Sequence, residues 1–564
     1  MSTSVRIWAP NARRVEVVCG DSRRDAEPEP GGWWRGPALA PGEHYAISLD
    51  GGPPRPDPRS RWQPDGVHRP SCWIDAATLC SPPPLGFAPP ALRDAVIYEL
   101  HVGTFSPRGT FIAAVEHLDH LVQLGVTHVE LMPVAQWAGG HGWGYDGVDL
   151  FAPHNAYGGP SGLHYLIREC HQRRLAVLID VVHNHVGPEG AYLAEFAPYK
   201  TPHHRTPWGE AINLDGAGSP EVRRFLIDSA LHWLCDYGAD GLRLDALHAL
   251  RDDSDRHFVG ELVHEVRAAG AQLGRRFTLI GEYDEHDPRA VVPEDAGGWG
   301  LDAHWNDDFH HAMHALLTGE HTGYYADFAA PGTLAKVLRD GYALDGGVSR
   351  FRGGPHGVPF GGLPRDRLVG YVQSHDQVGN RGAGERLHQL AGLDRAKIAA
   401  AILMTSPFVP MLFQGEEWAA STPFCYFADV ESDELRRAIR DGRRAEHAAA
   451  GWTGDPPDPT DPRTRDTSVL HWPELCEAPH RDMLAWYRAL ITARRECPEL
   501  RDPDPRSIEV REPAGGLEIR RGAFTLRVNL SDRPVPGGDG HCVLASRPLF
   551  GGALPPVSCA LFQR

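Results

Sequence analysis

The chain alternates strand-like and helix-like segments from about residue 95 to residue 416. Eight apolar runs predict strands, and amphipathic runs with helical spacing separate most of them. The predicted strands are 95–105, 128–134, 176–182, 241–247, 277–283, 301–306, 368–376 and 409–416. Such alternation is typical of an α/β fold with a parallel sheet, and eight units over roughly 400 residues favour a closed (β/α)8 barrel over an open sheet.

The segments on either side of this alternation have the period of two of β-structure. VRIWAP, RVEVVC and HYAISLD predict a small β-sandwich domain over residues 1–85, similar to carbohydrate-binding modules. The proline-rich stretch 81–90 can continue neither a helix nor a central strand, so we predict a linker there. SIEVRE, LEIRR and TLRVNL predict a C-terminal β-domain over 499–564, which leaves 86–498 to the barrel.

Composition excludes several classes of protein. A net charge of -18 and a pI near 5.9 argue against nucleic acid as a partner, because phosphate contacts need clustered Lys and Arg. The longest apolar run, 398–404, is too short to cross a membrane, and residues 1–10 do not resemble a secretory signal, so we expect a cytoplasmic protein. The ten cysteines lack metal-ligand spacing, and we predict neither a metal site nor a cofactor.

Acidic residues recur where the predicted strands end. In a β/α barrel these ends meet at one face, so acids that are distant in sequence converge there. Two such carboxyl groups, one ionised and one protonated, are what glycoside hydrolysis requires. The acids are Asp180, Asp245, Glu282, Asp376 and Glu416.

Arg243 and Asp245 lie two residues apart in the run GLRLDAL and therefore point to the same side of an extended chain. For one such pair, a structural salt bridge is the commoner interpretation. The repetition of acids on other strands favours a site, in which Arg243 would keep the neighbouring aspartate ionised.

Four short motifs resemble, in order and spacing, those of the α-amylase glycoside hydrolase family. They are DVVHNH (180–185), GLRLDA (241–246), LIGEYD (279–284) and SHDQ (374–377). Longer stretches such as VIYELHVGTFSPRGTF, GWGYDGVDLFAP and SPFVPMLFQGEEWAASTPF resemble the maltooligosyltrehalose trehalohydrolases within it. The resemblance covers nearly the whole chain and is weakest after about residue 500. It implies an immunoglobulin-like sandwich, the barrel and a C-terminal β-domain.

The resemblance implies roles for individual residues. Asp245 would be the nucleophile, Glu282 the general acid and base, and Asp376 the stabiliser of the transition state. The residues that would hold the sugar are Tyr145, His185, Arg243 and His375. Taken alone, Tyr145 and the two histidines would more commonly be structural residues, and only the adjoining motifs favour a site.

Asp308 and Phe309 are predicted to contact the leaving group, in loops that also carry Trp305, Asp307, Tyr324, Tyr325 and 350–354. An equally good interpretation of WNDDFHH is a capped helix start with solvated acids. The sequence departs from the wider family at Ser374, where Asn is frequent. It also departs in the short loop 187–213, which holds few carboxylates, so Asn184 is expected to form hydrogen bonds instead of binding calcium.

The implied reaction is hydrolysis of the α-1,4 bond next to the terminal trehalose unit of maltooligosyltrehalose. The substrate would come from a maltooligosyltrehalose synthase, to which the enzyme would be functionally coupled. Two alternatives stay open. One is a glycogen branching or debranching enzyme, which shares the three acids. The other is a non-catalytic barrel that binds glycans, although intact Asp245, Glu282 and Asp376 argue against it.

Overall fold

The computed structural model describes residues 4–75, 78–79, 83–84, 86–449 and 455–564. Eight parallel strands close into a barrel, in which each strand pairs with the next along the chain and the eighth pairs with the first. The strands are Ile97–Leu100, His128–Leu131, Ala176–Val181, Gly241–Leu244, Thr278–Gly281, Ala303–Trp305, Leu368–Tyr371 and Val409–Phe413. The predicted (β/α)8 barrel is therefore confirmed.

The barrel interior changes from apolar to charged along the strands. Ile97 and Leu178 belong to a buried apolar cluster inside the barrel. Glu99 and Asp180 lie two residues further along the same strands and therefore face the same interior. The carboxyl ends of the strands thus carry the charged layer, at the face where barrel enzymes place their sites.

Helices cover the outside of the barrel. Within the described residues, the longer ones are Gly159–Gln172, Ser219–Leu231, Phe258–Leu273, Asp307–Thr318, Thr333–Asp340, Leu393–Thr405, Asp433–Ala449 and His480–Glu496. The shorter ones are Val102–Phe105, Phe111–Val115, Leu118–Leu124, Leu193–Phe196, His375–Gly379, Leu387–Ala391, Pro462–Thr467 and Pro498–Arg501. None of the helices in these ranges is long and apolar enough to span a membrane.

Some element boundaries differ from what the sequence pattern indicates. The amphipathic run 111–124 forms two short helices separated by residues 116–117, and the second buries residues 118, 121 and 124, so Val122 is 42% exposed. The first strand was predicted to reach residue 105 but ends at Leu100. There the side chain of Gln414 accepts a hydrogen bond from the His101 backbone N–H, which takes that donor out of the strand ladder.

Antiparallel sheets flank the barrel at both ends of the chain. On the N-terminal side, one sheet contains Ser4–Trp8, Trp33–Ala38 and Glu27–Glu29, and another contains Ser22–Asp25, Val15–Cys19, His44–Leu49 and Ser71–Cys72. On the C-terminal side, a sheet contains Ile508–Arg511, Gly516–Arg521, Phe524–Asn529, Ser558–Gln563 and His541–Ala545. The boundaries after residues 85 and 498 stay predictions, and residues 81, 82 and 85 of the predicted linker lie outside the described residues.

Two of the antiparallel hairpins inserted between barrel strands have short connecting loops. Lys200–Thr206 pairs with Gly209–Ile212 in the connection from the third strand to the fourth. Val348–Ser349 pairs with Gly354–Pro355 in the connection from the sixth strand to the seventh. Both carry exposed aromatic side chains, Trp208 and Phe351.

Candidate active site

Arg243, at the end of the fourth barrel strand, holds three carboxyl groups together. Its Nη1 donates hydrogen bonds of 2.8 Å to Asp180 and Asp245, and its Nη2 lies 2.9 Å from Glu282 Oε2. The guanidinium carbon lies 4.3 Å from the ring centroid of Trp305. The side chain is fully buried. Acids from the third, fourth and fifth strands therefore meet at a single cation.

Asp245 directly follows the fourth strand and is bound on both carboxylate oxygens. Arg243 donates to Oδ1, and Asn184 Nδ2 donates to Oδ2 at 2.7 Å and to the Asp245 carbonyl oxygen at 2.9 Å. Burial opposes ionisation, but Arg243, His185 and Asn184 outweigh it and lower the pKa of Asp245. Asp245 is thus a carboxylate at neutral pH.

Glu282 directly follows the fifth strand and has the opposite ionisation behaviour. Its Oε2 accepts a hydrogen bond of 2.8 Å from the Ala246 N–H. Burial raises its pKa well above the ordinary value in spite of Arg243, and the nearby charges of Asp245 and Asp376 raise it further. The pKa values of the two acids are thus shifted apart, in the directions that a nucleophile and a general acid need.

Tyr145 and His185 join this cluster from neighbouring loops. The Tyr145 hydroxyl donates to Asp180 Oδ2 at 2.8 Å, so Asp180 binds both the phenol and Arg243. The ring of His185 is fixed at both nitrogens, since Nε2 lies 2.9 Å from the Tyr145 carbonyl oxygen and Nδ1 contacts Asn184 Oδ1. Asn184 thus makes the hydrogen bonds predicted for it.

His375 is positioned by Glu99, a residue that the sequence analysis did not single out. Glu99 accepts a hydrogen bond of 2.9 Å from the His375 backbone N–H and contacts the ring Nδ1. Burial opposes protonation of the ring, but the Glu99 charge outweighs it and raises the pKa of His375. The imidazole stacks on Tyr145 at 5.1 Å between centroids. The signal in the sequence was the inward-facing acid near the end of the first strand, in YELH.

Asp376 lies on the short helix His375–Gly379 and not on the seventh strand, which ends at Tyr371. The helix begins here because the Ser374 hydroxyl accepts a hydrogen bond of 3.2 Å from the Asp376 N–H. Ser and Asn are both good N-cap residues, so the departure at Ser374 keeps the cap. The carboxylate of Asp376 is partly exposed and accepts a hydrogen bond of 2.6 Å from Asn380.

Asp308, Phe309 and Glu416, which the sequence analysis singled out, make buried structural contacts. Asp308 is 0% exposed, and its Oδ2 accepts hydrogen bonds from the backbone N–H groups of residues 343 and 344. Phe309 is also 0% exposed and packs against Phe408. Glu416 bonds to Tyr487 and to the side chain of residue 373. Hydrogen bonds account for the burial of the two acids, and packing accounts for that of Phe309. We therefore leave all three out of the proposed site.

Trp208, at the tip of the hairpin after the third strand, was missed by the sequence analysis. It is 49% exposed, and its ring is stacked on His185 at 4.5 Å with an interplanar angle of 3°. An exposed tryptophan beside a site is a surface on which a sugar ring can stack. Nothing in the local sequence indicates that this loop folds back over His185.

The chain is similar to known glycoside hydrolases. Residues 85–208 match the model of the alpha amylase catalytic domain. A malto-oligosyltrehalose trehalohydrolase from Arthrobacter ramosus is 45% identical over 569 residues, covering 98% of this chain and 97% of the relative. One from Saccharolobus solfataricus is 41% identical over 500 residues, covering 87% and 84%.

A solved structure supports the same assignment. A Salmonella typhimurium protein described as an alpha amylase superimposes with a TM-score of 0.91 and 36% identity, covering 99% of this chain and 97% of that one. The chain belongs to the malto-oligosyltrehalose trehalohydrolases, a group of glycoside hydrolases of the alpha-amylase family.

Proposed function

We propose that the chain hydrolyses the α-1,4-glucosidic bond next to the terminal trehalose unit of maltooligosyltrehalose and releases trehalose and a maltooligosaccharide. The relatives named above carry the name of this activity. One contact set carries the proposal: Arg243 contacts Asp245 and Glu282 through neighbouring nitrogens, while the pKa of Asp245 is lowered and that of Glu282 is raised. That arrangement suits the short separation of the two carboxyl groups in retaining enzymes, about 5 to 5.5 Å.

In the first step, a carboxylate oxygen of Asp245 attacks C1 of the glucosyl unit at the cleavage point. Glu282 gives its proton to the glycosidic oxygen, so the C1–O bond breaks and trehalose leaves as a neutral alcohol. A β-glycosyl ester of Asp245 remains. Arg243 stabilises the carboxylate before attack and also contacts Glu282, which loses its proton in this step.

In the second step, water attacks C1 from the side that trehalose left. Glu282, now ionised, takes a proton from this water, and the ester bond to Asp245 breaks. The maltooligosaccharide leaves with its original α configuration, and both carboxyl groups return to their starting states. Asp376 is proposed to bind hydroxyl groups of the sugar and to stabilise the positive charge that develops at the ring.

The leaving-group subsites are proposed to lie toward the hairpin 348–355. Arg352 in this hairpin contacts Asp284, two residues after Glu282. Tyr324 faces the exposed Phe351 at 6.1 Å between ring centroids. An aromatic and cationic rim of this kind can stack on and bind a trehalose unit.

The substrate must be supplied by an enzyme that isomerises the reducing end of a maltodextrin into a trehalose unit. We propose functional coupling to such a maltooligosyltrehalose synthase. The cytoplasmic location and the three-domain division at residues 85 and 498 stay predictions.

Product analysis tests the proposed function. The purified protein is incubated separately with maltotriosyltrehalose, maltopentaose and amylopectin. Trehalose and maltotriose from the first substrate, with little action on the other two, are the expected result. Formation or removal of branches in amylopectin would instead indicate a branching or debranching enzyme. Absence of turnover with all three would favour the non-catalytic barrel.

The pH dependence of kcat/KM should follow the two pKa shifts. The acidic limb, where Asp245 becomes protonated, is expected below the ordinary aspartate pKa of 3.8. The alkaline limb, where Glu282 loses its proton, is expected well above the ordinary glutamate pKa of 4.5. Because the charge of Asp307 helps to raise the Glu282 pKa, Asp307→Asn should move the alkaline limb to lower pH. An alkaline limb that stays in place in Asp307→Asn would contradict this electrostatic account.

Trp208→Ala should raise KM for maltooligosyltrehalose about threefold to tenfold, the range that corresponds to the loss of one aromatic stacking contact. We expect little change in kcat, because Trp208 does not contact the reacting carboxyl groups. Trp208→Phe keeps a flat ring and should recover most of the affinity. Phe550→Ala, which removes a 77% exposed ring from the C-terminal β-structure, serves as the control and should leave KM unchanged.

A further inference from the structure

Asp284, His286 and His356 form a cluster that the proposed reaction does not use. One possible ligand atom from each lies within 4.8 Å of the others. Asp284 and His286 lie in the loop after the fifth barrel strand, and His356 directly follows the hairpin strand Gly354–Pro355. The cluster therefore joins the loop that follows Glu282 to the hairpin of the proposed leaving-group side.

The ring of His356 is held in the tautomer that a metal ligand needs. Its Nε2 lies 2.8 Å from the Asp284 carbonyl oxygen. Because a carbonyl oxygen only accepts hydrogen bonds, Nε2 carries the proton and Nδ1 keeps a free lone pair. The backbone is fixed as well, since the His356 N–H donates to the Gly347 carbonyl oxygen at 3.0 Å and the Val358 N–H donates to that of His286 at 3.0 Å.

His286 is 4% exposed, and within the described residues neither of its ring nitrogens makes a hydrogen bond. Its Nε2 lies 3.2 Å from Oδ1 of the buried Asp308, so a slight turn of the ring would form a hydrogen bond there and leave Nδ1 free. A buried polar group without a partner costs about 1–3 kcal/mol. A carboxylate behind one imidazole nitrogen, with the other nitrogen open, is the arrangement found around histidine ligands of metals.

The backbone of His286 is also strained. Its φ of +48° lies in the left-handed region, which a residue with a side chain rarely adopts. Gly357 packs so closely that a Cβ there would lie 2.1 Å from the Leu344 carbonyl oxygen and 3.0 Å from the Cβ of His286. The chain thus holds the two imidazoles edge to face at some cost, with an interplanar angle of 78° and ring centroids 4.8 Å apart.

We propose that Asp284, His286 and His356 bind a divalent transition-metal ion of the Zn²⁺ type. Two imidazole nitrogens and one carboxylate suit zinc better than magnesium or calcium, which prefer oxygen ligands. Ligand atoms around tetrahedral zinc lie about 3.3 Å apart, so binding needs only a small contraction of the cluster. This site lies beyond the proposed function, and its test does not depend on glycosidase activity.

Arg352 competes with the metal for the same carboxylate. Its guanidinium contacts both oxygens of Asp284. This ion pair is about one-third exposed, so it is weak and can be displaced. Metal binding therefore frees Arg352 and changes the tip of the hairpin 348–355.

Calorimetric titration of the chelator-treated full chain with Zn²⁺ tests this site. We expect one saturable site per chain that His356→Ala weakens by at least about 100-fold, because one of three ligands is lost. Arg352→Ala removes the competing cation and should strengthen binding roughly twofold to fivefold. Co²⁺ in place of Zn²⁺ should give a visible absorption band of a four-coordinate ion, which His356→Ala abolishes.

A second cluster, His204, Asp215 and Asp253, provides the control. It is more exposed, and its histidine is already bonded to Asp215 at 2.7 Å. His204→Ala should therefore leave the Zn²⁺ titration unchanged. Equal affinity in the wild type and His356→Ala, or loss of binding in His204→Ala, would overturn the proposal. If His356→Ala does not fold, the Zn²⁺ affinity of Arg352→Ala decides between the outcomes. An affinity no higher than that of the wild type would also overturn the proposal.

Discussion

Glu282→Gln is expected to lower kcat for maltooligosyltrehalose about 10²- to 10⁴-fold, the usual contribution of a general acid and base. Glutamine keeps the shape of the side chain and can still accept the hydrogen bond from Ala246, but it carries no acidic proton. Trehalose then has to leave as an alkoxide, and this slows the first step.

A substrate with a better leaving group separates the two functions of Glu282. An α-maltosyl fluoride needs no proton for departure, so Glu282→Gln should form the glycosyl ester of Asp245 at a substantial rate. Its hydrolysis is then slow because no base activates the water. Added azide needs no base and should restore turnover, giving the α-glycosyl azide. Asp245→Ala should instead give the β anomer, because azide takes the place of the missing nucleophile.

Glu285→Gln is the matched control, because Glu285 is an exposed acid in the same loop. It should leave kcat and the azide response unchanged. If Glu282→Gln retained wild-type turnover, or if azide gave the same anomer with both variants, the assignment of acid and nucleophile would be wrong.

Much of this site could be predicted because, in a barrel, a residue at the carboxyl end of any strand lies at the same face. Asp180, Asp245 and Glu282 each lie at the end of an apolar run, and parallel strands bring those ends to one face. Arg243 could be placed beside Asp245 from the period of two alone. These inferences need only strand direction, which the alternation of elements supplies.

Contacts between loops could not be predicted in the same way. The stacking of Trp208 on His185 joins two connecting segments that lack periodicity. Glu99 could be placed inside the barrel from its strand, but its partner His375 lies on a short helix after the seventh strand, so the bond between them could not be predicted. The environment of Asp308 could not be predicted either. Its position in WNDDFHH suggests a solvated acid, but the side chain is buried and accepts hydrogen bonds from backbone N–H groups of a later loop. Strand ends were misplaced because an apolar run can continue past the last ladder hydrogen bond.

Arg243→Leu is expected to reduce the free energy of unfolding by about 3–5 kcal/mol at neutral pH, because it leaves buried carboxylates without their cation. Asp180, Asp245 and Glu282 all lose a charge-assisted contact. In the wild type, the lowered pKa of Asp245 contributes stability above its unfolded pKa, and that contribution is lost as the pH falls through the folded pKa.

The destabilisation in Arg243→Leu should therefore depend on pH. Without the guanidinium, burial dominates and the carboxyl groups take up protons at higher pH than in the wild type. Protonation removes their repulsion, so the difference in unfolding free energy between variant and wild type should shrink from pH 7.5 to pH 5. Urea unfolding of both proteins at the two pH values measures this difference.

Arg494→Leu is the matched control for the loss of a buried arginine. Arg494 is 2% exposed, but its hydrogen bonds go to backbone carbonyl oxygens, which do not titrate. Its destabilisation should be the same at pH 5 and pH 7.5. If Arg243→Leu showed an equally pH-independent loss, Arg243 would act on stability through packing. The ionised state of Asp245 would then have to come from Asn184 and His185, and those residues would become the first to replace.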